Sequence, residues 1–461
     1  MSSQSEQSPL LYNPPQLNHL QFNDPLVSEA DVVVIGGGII GVCTAYYLAQ
    51  LGQKVMLCEK GVVAGEQSSR NWGWVRQHAR DEAELPIMME SARLWDDLAA
   101  EIGEDVGYRQ HGVLYLASSN KKLAQREAWI EIAKQYQLNS TLLSAAEVAA
   151  ITGTPEGQWC GGVYTASDGR AEPWIAVPAI ARAASRLGVV IKEHCAVRNI
   201  EQKNQTISGV VTEHGLVKCN RVVLACGAWS SLFAGNMGIY LPQLCVRSTV
   251  VKTTAVNNFF SGNAADESLA FRRRQDESYS LALTDRINHL IGPNTFRFFK
   301  SFLPAMKVDW DQYRLAPKMP MGFPDAWRTA RKWSDDEISP FEKLRVLDPE
   351  PNHRDAQRIL DLARRKLPSL KNVSVEHSWA GMIDSMPDIV PVIDNIGSSH
   401  NSAPAGLTFA TGFSGHGFGI GPAAGKLVAD LVCNHPVPYD LDRFRLSRFT
   451  DGSAIELGPI F

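Results

Sequence analysis

The sequence predicts an α/β fold, α+β overall, in which a domain with a parallel sheet is interleaved with a domain built on a mixed sheet. Two observations lead to this prediction. A β-branched strand, Asp31–Ile35, runs directly into the glycine-rich turn Gly36–Gly41 and an apolar helix that ends before Gly52. Strands that end in glycine turns return near the centre and the end of the chain, at 221–227 and 406–421. The second domain must therefore be inserted between segments of the first.

Length and composition limit the classes of function. The chain has 461 residues, enough for two or three domains, and its 44% hydrophobic residues exclude global disorder. Its 45 basic and 49 acidic side chains give a net charge of −4, which is not typical of a nucleic-acid-binding protein. The eight cysteines form no CxxC pair and the eleven histidines no HxH or HExxH spacing. We therefore expect reduced thiols and no metal site.

The beginning of the chain has no targeting signal. The first 30 residues are rich in Ser, Gln, Asn and Pro and lack the basic and apolar regions of a signal peptide. No stretch approaches the roughly 18 apolar residues that a membrane span needs. We expect a flexible N-terminal arm over residues 1–30, no integral membrane segment and a cytoplasmic location.

The first glycine-rich turn has the spacing of a dinucleotide-binding site. Gly36, Gly38 and Gly41 form G-x-G-x-x-G, which permits a tight turn, close approach of a pyrophosphate and close helix–strand packing. The helix that begins near Ile39 presents free N–H groups to the phosphates. Glu59 ends the next strand and can accept hydrogen bonds from a ribose. Together these features predict a Rossmann-type domain, and an acid in this place disfavours a 2′-phosphate ligand.

Three later segments favour a flavin over a nicotinamide. Residues 64–70 carry small hydroxyl side chains and one arginine, which suit a loop along a pyrophosphate and a buried ring system. The strand at 221–226 ends in a glycine turn that returns the chain to the nucleotide. The glycine loop 412–421 precedes a helix whose start can stabilise negative charge on a reduced isoalloxazine.

These residues resemble the D-amino-acid oxidase-like flavoprotein family, which includes glycine and sarcosine oxidases and D-amino-acid dehydrogenases, over about 31–435. Segments 64–70, 227–233 and 336–345 are similar to bacterial L-amino acid deaminases, and 412–418 is similar to monomeric sarcosine oxidase. The resemblance implies FAD, an amine or amino-acid substrate, and O2 or a quinone as electron acceptor. Besides the first turn and Glu59, the expected cofactor contacts are Lys60, Ser68, Ser69, Arg70, Val197, Ala225, Gly227, Trp229, Gly415, His416, Gly417, Gly419 and Ile420.

The sequence departs from the family at three positions. In sarcosine oxidases, a cysteine that binds the flavin covalently occupies the place of Gly381, so we expect noncovalent FAD. Ile383 stands where glycine oxidase and D-amino-acid dehydrogenases have a carboxylate-binding arginine. Gly419 replaces a lysine of sarcosine oxidase. The anchor for a substrate carboxylate must therefore come from another part of the chain.

Two arginines are candidates for this anchor, because a guanidinium group binds a carboxylate in a bidentate manner. Arg272 matches the carboxylate-binding arginine of the deaminases, and Arg76 resembles the anchor of sarcosine oxidases; each could instead be a solvated surface residue. Trp72 and Trp74 are expected to line an apolar pocket, to hold an amine by cation–π contact, or to pack in the core. His416 is expected to stabilise reduced flavin, to deprotonate substrate, or only to bind backbone groups.

The predicted FAD-binding domain comprises 31–80, 168–235 and 375–435, the substrate domain comprises 81–167 and 236–374, and a C-terminal tail follows over 436–461. The predicted reaction is oxidation of a CH–NH bond to an imine, which hydrolyses to a keto acid or an aldehyde. One alternative is an NAD(P)H-dependent flavin monooxygenase, although no second dinucleotide motif follows Gly41. The other alternative is a non-catalytic flavin-binding protein.

Overall fold

The computed structural model describes residues 21–308, 310–399 and 403–458. In chain order, the strands are β1 Val32–Ile35, β2 Val55–Cys58, β3 Trp74–Val75, β4 Val113–Ala117, β5 Ser140–Ser144, β6 Gly161–Thr165, β7 Gly169–Arg170, β8 Val190–Lys192, β9 Val197–Lys203, β10 Thr206–Thr212, β11 Gly215–Lys218, β12 Arg221–Leu224, β13 Leu244–Thr253, β14 Asn263–Ala265, β15 Leu269–Arg273, β16 Tyr279–Leu283, β17 Ile287–Leu290, β18 Tyr313–Ala316, β19 Val375–Ser385, β20 Val392–Asp394 and β21 Leu407–Thr411. The α-helices are α1 Ile39–Gln50, α2 Gln67–Arg70, α3 Leu85–Ile102, α4 Asn120–Gln135, α5 Ala145–Thr152, α6 Pro173–Arg186, α7 Ser230–Asn236, α8 Pro293–Arg297, α9 Phe299–Val308, α10 Pro340–Lys343, α11 His353–Lys366, α12 Ile396–Ser399 and α13 Gly417–Val432.

A six-stranded sheet in the order β20-β21-β12-β1-β2-β8 forms the first layer of the molecule. All of its neighbouring strands pair in parallel except β20 and β21. The residues of β1 and β2 are all buried, as expected for apolar strands that are covered on both faces. Helix α1 packs against α13 and α6, and β9, β10 and β11 form a separate small sheet. This layer places the ends of β1, β2 and β12 beside the start of α1.

A second, mixed sheet has the order β18-β17-β13-β16-β15-β14-β4-β6-β5, and β19 also pairs with β13. The amphipathic helix α11 packs against β13, β15 and β16 and shares a buried cluster with Val251, Phe271 and Leu281. The two sheets confirm the predicted α/β class with a mixed second sheet.

Contacts at several places join segments across the predicted division of the chain into two domains. Strand β19 is assigned from sequence to the cofactor domain. In the structure it pairs with β13 of the second sheet through ten residue pairs. Helix α3, assigned to the substrate domain, packs against α13 instead. In the C-terminal tail Arg448 pairs with buried Asp388 at 2.7 Å, which holds residues near 448 against the first layer.

The predicted flexible arm falls partly outside the described residues, which begin at 21. Phe22 is buried, and the backbone N–H groups of Gln21 and Phe22 donate to the Glu193 carboxylate at 2.6 and 3.0 Å. Residues 21–30 are therefore docked rather than free, because an apolar side chain and two backbone donors find partners. No helix of the described ranges is both long and apolar enough to cross a membrane. All eight cysteines are free thiols.

Candidate active site

An elongated cavity runs along the carboxyl ends of the parallel strands. Its empty volume is about 1090 Å³, including its opening. The start of α1, the end of β2 with the loop that follows, β9, the end of β12 and the start of α13 all contribute to its wall. Segments far apart in the sequence therefore meet at one edge of the sheet, where α/β proteins bind nucleotides.

The glycine turn approaches the end of β12 closely in this wall. Gly36 has a φ of +112°, and a Cβ at this position would lie 2.9 Å from the carbonyl carbon of Ala225 and closer still to its oxygen. A Cβ on Gly41 would overlap the Gly36 carbonyl, so Gly41 serves close packing. The N–H of Ile39 donates to the Ser68 hydroxyl at 2.9 Å, which joins the start of α1 to the segment 64–70.

Acidic side chains of this cavity already have hydrogen-bond donors. The two oxygens of Glu59 accept from the N–H groups of Gly37 and Gly61, both at 2.7 Å, while burial raises the pKa of the Glu59 carboxyl. Glu66 accepts from Lys60 at 2.6 Å and from the Trp229 indole at 3.1 Å. These bonds fix the carboxylates against the wall of the cavity.

A second cavity, of about 1410 Å³, adjoins the first. The two share a wall that consists of Gln67, Asn71, Gly415 and Phe418. Trp74 lies in the second cavity and makes edge-on ring contacts with Trp72 at 5.7 Å and Tyr115 at 6.1 Å. A group at the end of the first cavity would therefore meet a partly aromatic chamber large enough for a second molecule.

Two arginines bring positive charge to the wall of this chamber. Arg76 and Arg80 both line it, and Arg80 is only 2% exposed. The guanidinium of Arg76 donates to the carbonyls of His78 and Ala79, and that of Arg80 donates to the Arg76 carbonyl at 3.3 Å. Within the described residues, one terminal nitrogen of Arg80 has no partner. Burial and the charge of Arg76 lower the pKa of Arg80 to about 9, so this pair would bind an anion favourably.

His416 also lines the chamber, together with a buried acid. Its Nδ1 lies 3.1 Å from the carboxylate of Glu84, whose pKa is held low by His416 and Arg80 despite burial. Burial and Arg80 lower the pKa of His416 to about 4. An ionised carboxylate can only accept, so the neutral ring carries its proton on Nδ1 and has Nε2 available as an acceptor.

Comparison with known proteins identifies the family. The family model for FAD dependent oxidoreductases matches residues 31–431. The chain belongs to this family. It is therefore an enzyme that uses FAD, and the resemblance expected from the sequence is confirmed.

Relatives agree with this assignment. Glycine oxidase of Bacillus subtilis is 26% identical over 91% of this chain and 97% of its own length. Human mitochondrial dimethylglycine dehydrogenase is 25% identical over 95% of this chain, which spans 46% of that protein. The solved structure of L-amino acid deaminase from Proteus myxofaciens in complex with anthranilate has a TM-score of 0.88 and 29% identity, over 94% of this chain and 97% of the other.

The first cavity fits FAD by its own chemistry. A cradle of glycines that a Cβ would fill lies beside the start of α1, and Glu59 stands at the end of β2. The predicted contacts that line this cavity are Gly36, Gly38, Ile39, Glu59, Lys60, Ser68, Val197, Ala225, Gly227, Trp229, Gly415 and Gly417. These residues would hold the cofactor, with the helix start next to its phosphates.

Other predicted cofactor contacts lie outside the FAD cavity. Ser69 is fully buried, and its hydroxyl donates to the Glu66 carbonyl at 3.2 Å. Arg70 lines the second cavity and pairs with Asp348 at 3.0 Å. The Gly419 carbonyl accepts from Ser91 and Trp95. Gly41 and Ile420 support the packing of helices, and His416 faces the second cavity.

Arg272 is not brought to either cavity. Its side chain is 1% exposed and donates to the Glu172 carboxylate at 3.0 Å and to the Ala171 carbonyl at 3.0 Å. The partner carboxylate is equally buried, so the pair is enclosed in the protein. In this position Arg272 supports the strand that carries it, and Arg76 is the predicted anchor that reaches the chamber.

Sequence reasoning missed several residues of the site. Arg80 follows Arg76 by four residues in a polar segment, and Glu84 follows by another four; this repeated spacing was the available signal. Asp384 also lines the FAD cavity and accepts from the Gly412 N–H at 3.0 Å. Burial raises the pKa of Asp384 to about 6. Phe341 reaches the same cavity from α10, which no local pattern indicates.

Proposed function

We propose that the enzyme oxidises the bond between the α-carbon and the nitrogen of an amino acid or a related amine. The observation that carries this proposal is the pair Arg76 and Arg80, whose guanidinium partners within the described residues are carbonyl oxygens rather than carboxylates. A guanidinium group that is removed from water and forms no direct ion pair is costly, so a bound carboxylate would relieve this cost. Glycine oxidase and L-amino acid deaminase among the relatives point to the same substrate class.

When bound, FAD supplies the acceptor for the electron pair and hydrogen that leave the α-carbon. The protein's part is to place that carbon at the wall shared by the two cavities. Arg76 and Arg80 bind the carboxylate, while Trp72 and Trp74 keep the chamber apolar. The unprotonated Nε2 of His416 can accept a hydrogen bond from a substrate amine and so orient it. The resulting imine then reacts with water to give a keto acid or an aldehyde and releases its nitrogen as ammonia or a primary amine.

Three finer expectations belong to this proposal. FAD is held noncovalently, because Gly381 stands in the place of the cysteine that would bind it. The electron acceptor is O2 or a quinone. The cytoplasm is the expected location, which the eight free cysteine thiols support.

An anaerobic titration of the purified holoenzyme tests the reaction. D-, L- and N-methyl amino acids, polyamines and NADPH are added separately, and loss of the visible flavin absorbance reports reduction. We expect at least one amino acid to bleach the flavin. If only NADPH does so, the monooxygenase alternative gains; if no compound does, the protein is a flavin carrier and the proposal fails.

The variant Arg76→Ala tests the anchor. Loss of a charged hydrogen bond of about 1.5–3 kcal/mol should raise KM for an amino acid about 10- to 150-fold. The value of kcat should change much less, because the bond is present in the ground state and the transition state alike. Arg93→Ala, on the exposed surface of α3, is the matched control. Equal KM values for the two variants would contradict this role of Arg76.

A further inference from the structure

The second cavity has another pair of arginines, away from Arg76. Arg247 lies on β13 and Arg286 directly precedes β17, and both side chains line the cavity. The guanidinium carbon of Arg76 lies 5.8 Å from the ring of Tyr115, which is on β4. Three strands separate β13 from β4, so the two pairs of arginines extend into the cavity from different parts of the sheet. The cavity therefore has arginines at two separate places.

The pair Arg247 and Arg286 carries excess positive charge. Arg286 donates to the Asp355 carboxylate at 2.7 Å, so its charge is balanced. Arg247 donates to the carbonyl of Glu350 at 3.2 Å, and no carboxylate among the described residues forms an ion pair with it. The Nε atoms of both arginines are buried and have no hydrogen-bond partner in the described part of the chain. Two guanidinium groups thus share one carboxylate, which leaves capacity for a second anion.

Much of the wall of this cavity is apolar. Its apolar lining includes Trp72, Trp74, Leu283, Ile287 and Ile383. Among the described residues, the wall of this cavity contains no aspartate or glutamate. A ligand that matches this arrangement has two negative groups joined by an apolar chain.

We propose that the substrates are amino acids with a second carboxylate at the end of an aliphatic side chain. Arg247 and Arg286 bind the distal carboxylate, and the aliphatic chain lies along Trp72 and Trp74. The inference rests on the proposed function, because it assigns the α-carboxylate to Arg76 and Arg80. The enzyme would discriminate against amino acids with a neutral side chain, because such a substrate would leave the guanidinium groups of Arg247 and Arg286 desolvated and without an anion.

Binding without turnover gives the first test. Adipate, a dicarboxylate without an amine, and hexanoate, its monocarboxylate counterpart, are added to the holoenzyme at equal concentration. Adipate should raise the midpoint of thermal unfolding, because it binds the folded state, while hexanoate should raise it much less. In Arg247→Gln the difference between the two ligands should disappear, whereas the exposed control Arg314→Gln should retain it. Equal shifts with adipate and hexanoate in the wild type would overturn the proposal.

Kinetics give the second test. The ratio of kcat/KM for 2-aminoadipate to that for norleucine, measured with both enantiomers, should exceed about tenfold and fall at least about tenfold in Arg247→Gln. Arg247→Lys should recover part of the ratio, because it restores the charge. If norleucine reduces the flavin with no preference for 2-aminoadipate, this inference fails and the proposed function stands. If no amino acid reduces the flavin, the proposed function fails as well.

Discussion

Replacement of Gly36 by alanine tests whether the glycine turn is needed for shape rather than for flexibility. At the φ of +112° a residue with a side chain is strained by about 1–3 kcal/mol. The added Cβ would also lie 2.9 Å from the carbonyl carbon of Ala225, and overpacking of this kind costs about 1–3 kcal/mol. Together the two effects predict a loss of about 2–6 kcal/mol in the free energy of unfolding.

Gly52→Ala is the matched control for this variant. Gly52 has a φ of +76° but no atom within 4 Å of its added Cβ, so it reports the backbone cost alone, about 1 kcal/mol. For a chain of this length 1 kcal/mol corresponds to about 1 °C in the unfolding midpoint. Gly36→Ala should therefore lower the midpoint by about 2–6 °C and the control by about 1 °C.

Cofactor affinity separates the two variants further. Movement of the turn by even a fraction of an ångström displaces the start of α1, so the Kd for FAD should rise at least about tenfold in Gly36→Ala and stay unchanged in Gly52→Ala. Thermal unfolding of the apoprotein and quenching of FAD fluorescence on titration provide the two measurements. If Gly36→Ala has the same unfolding midpoint and the same Kd for FAD as Gly52→Ala, the close approach of Gly36 to Ala225 does not determine the geometry of the FAD site.

Three further outcomes are expected. Arg272→Ala should lower the free energy of unfolding by about 3 kcal/mol without raising KM, since it leaves buried Glu172 with Arg170, at 3.6 Å, as its remaining ion-pair partner. Urea denaturation and steady-state kinetics check this. The pKa of His416 is lowered from 6.5 to about 4, so protonation of this residue favours the unfolded state. As the pH falls from 6.5 to 4, the free energy of unfolding of the wild type should therefore decrease by up to about 3 kcal/mol relative to that of His416→Gln. Urea denaturation across this pH range checks it. Acid precipitation should release free FAD into the supernatant, since Gly381 cannot form a covalent link.

Local features of the site could be predicted because one short segment determines them. The strand, the turn at Gly36 and the helix start at Ile39 lie within about twenty residues, and the spacing alone implies their geometry. Glu59 follows from the same unit, because parallel strands bring their carboxyl ends to one edge. The pairing of β19 with β13 in the second sheet could not be predicted, since β13 lies more than a hundred residues earlier in the chain.

The substrate side of the site was harder to predict because charge balance is not local. Arg272 and Arg76 look alike in the sequence, and the difference between them is a partner: Glu172 neutralises Arg272 from a segment 100 residues away. Arg76 has only carbonyl partners within the described residues. No periodicity in the sequence distinguishes an arginine with a carboxylate partner from an arginine without one, whereas the folded structure does.

This contrast in charge balance also distinguishes the roles of the two cavities. In the FAD cavity the carboxylates of Glu59 and Glu66 are matched by donors from the protein itself, so that wall is complete before any ligand arrives. In the second cavity Arg76, Arg80 and Arg247 have no carboxylate partners among the described residues. Stability alone would favour replacing such cations or pairing them, because buried unpaired charge is costly. Their presence is explained if the missing negative charge belongs to the substrate, which then binds in one orientation and with its reacting carbon beside the shared wall.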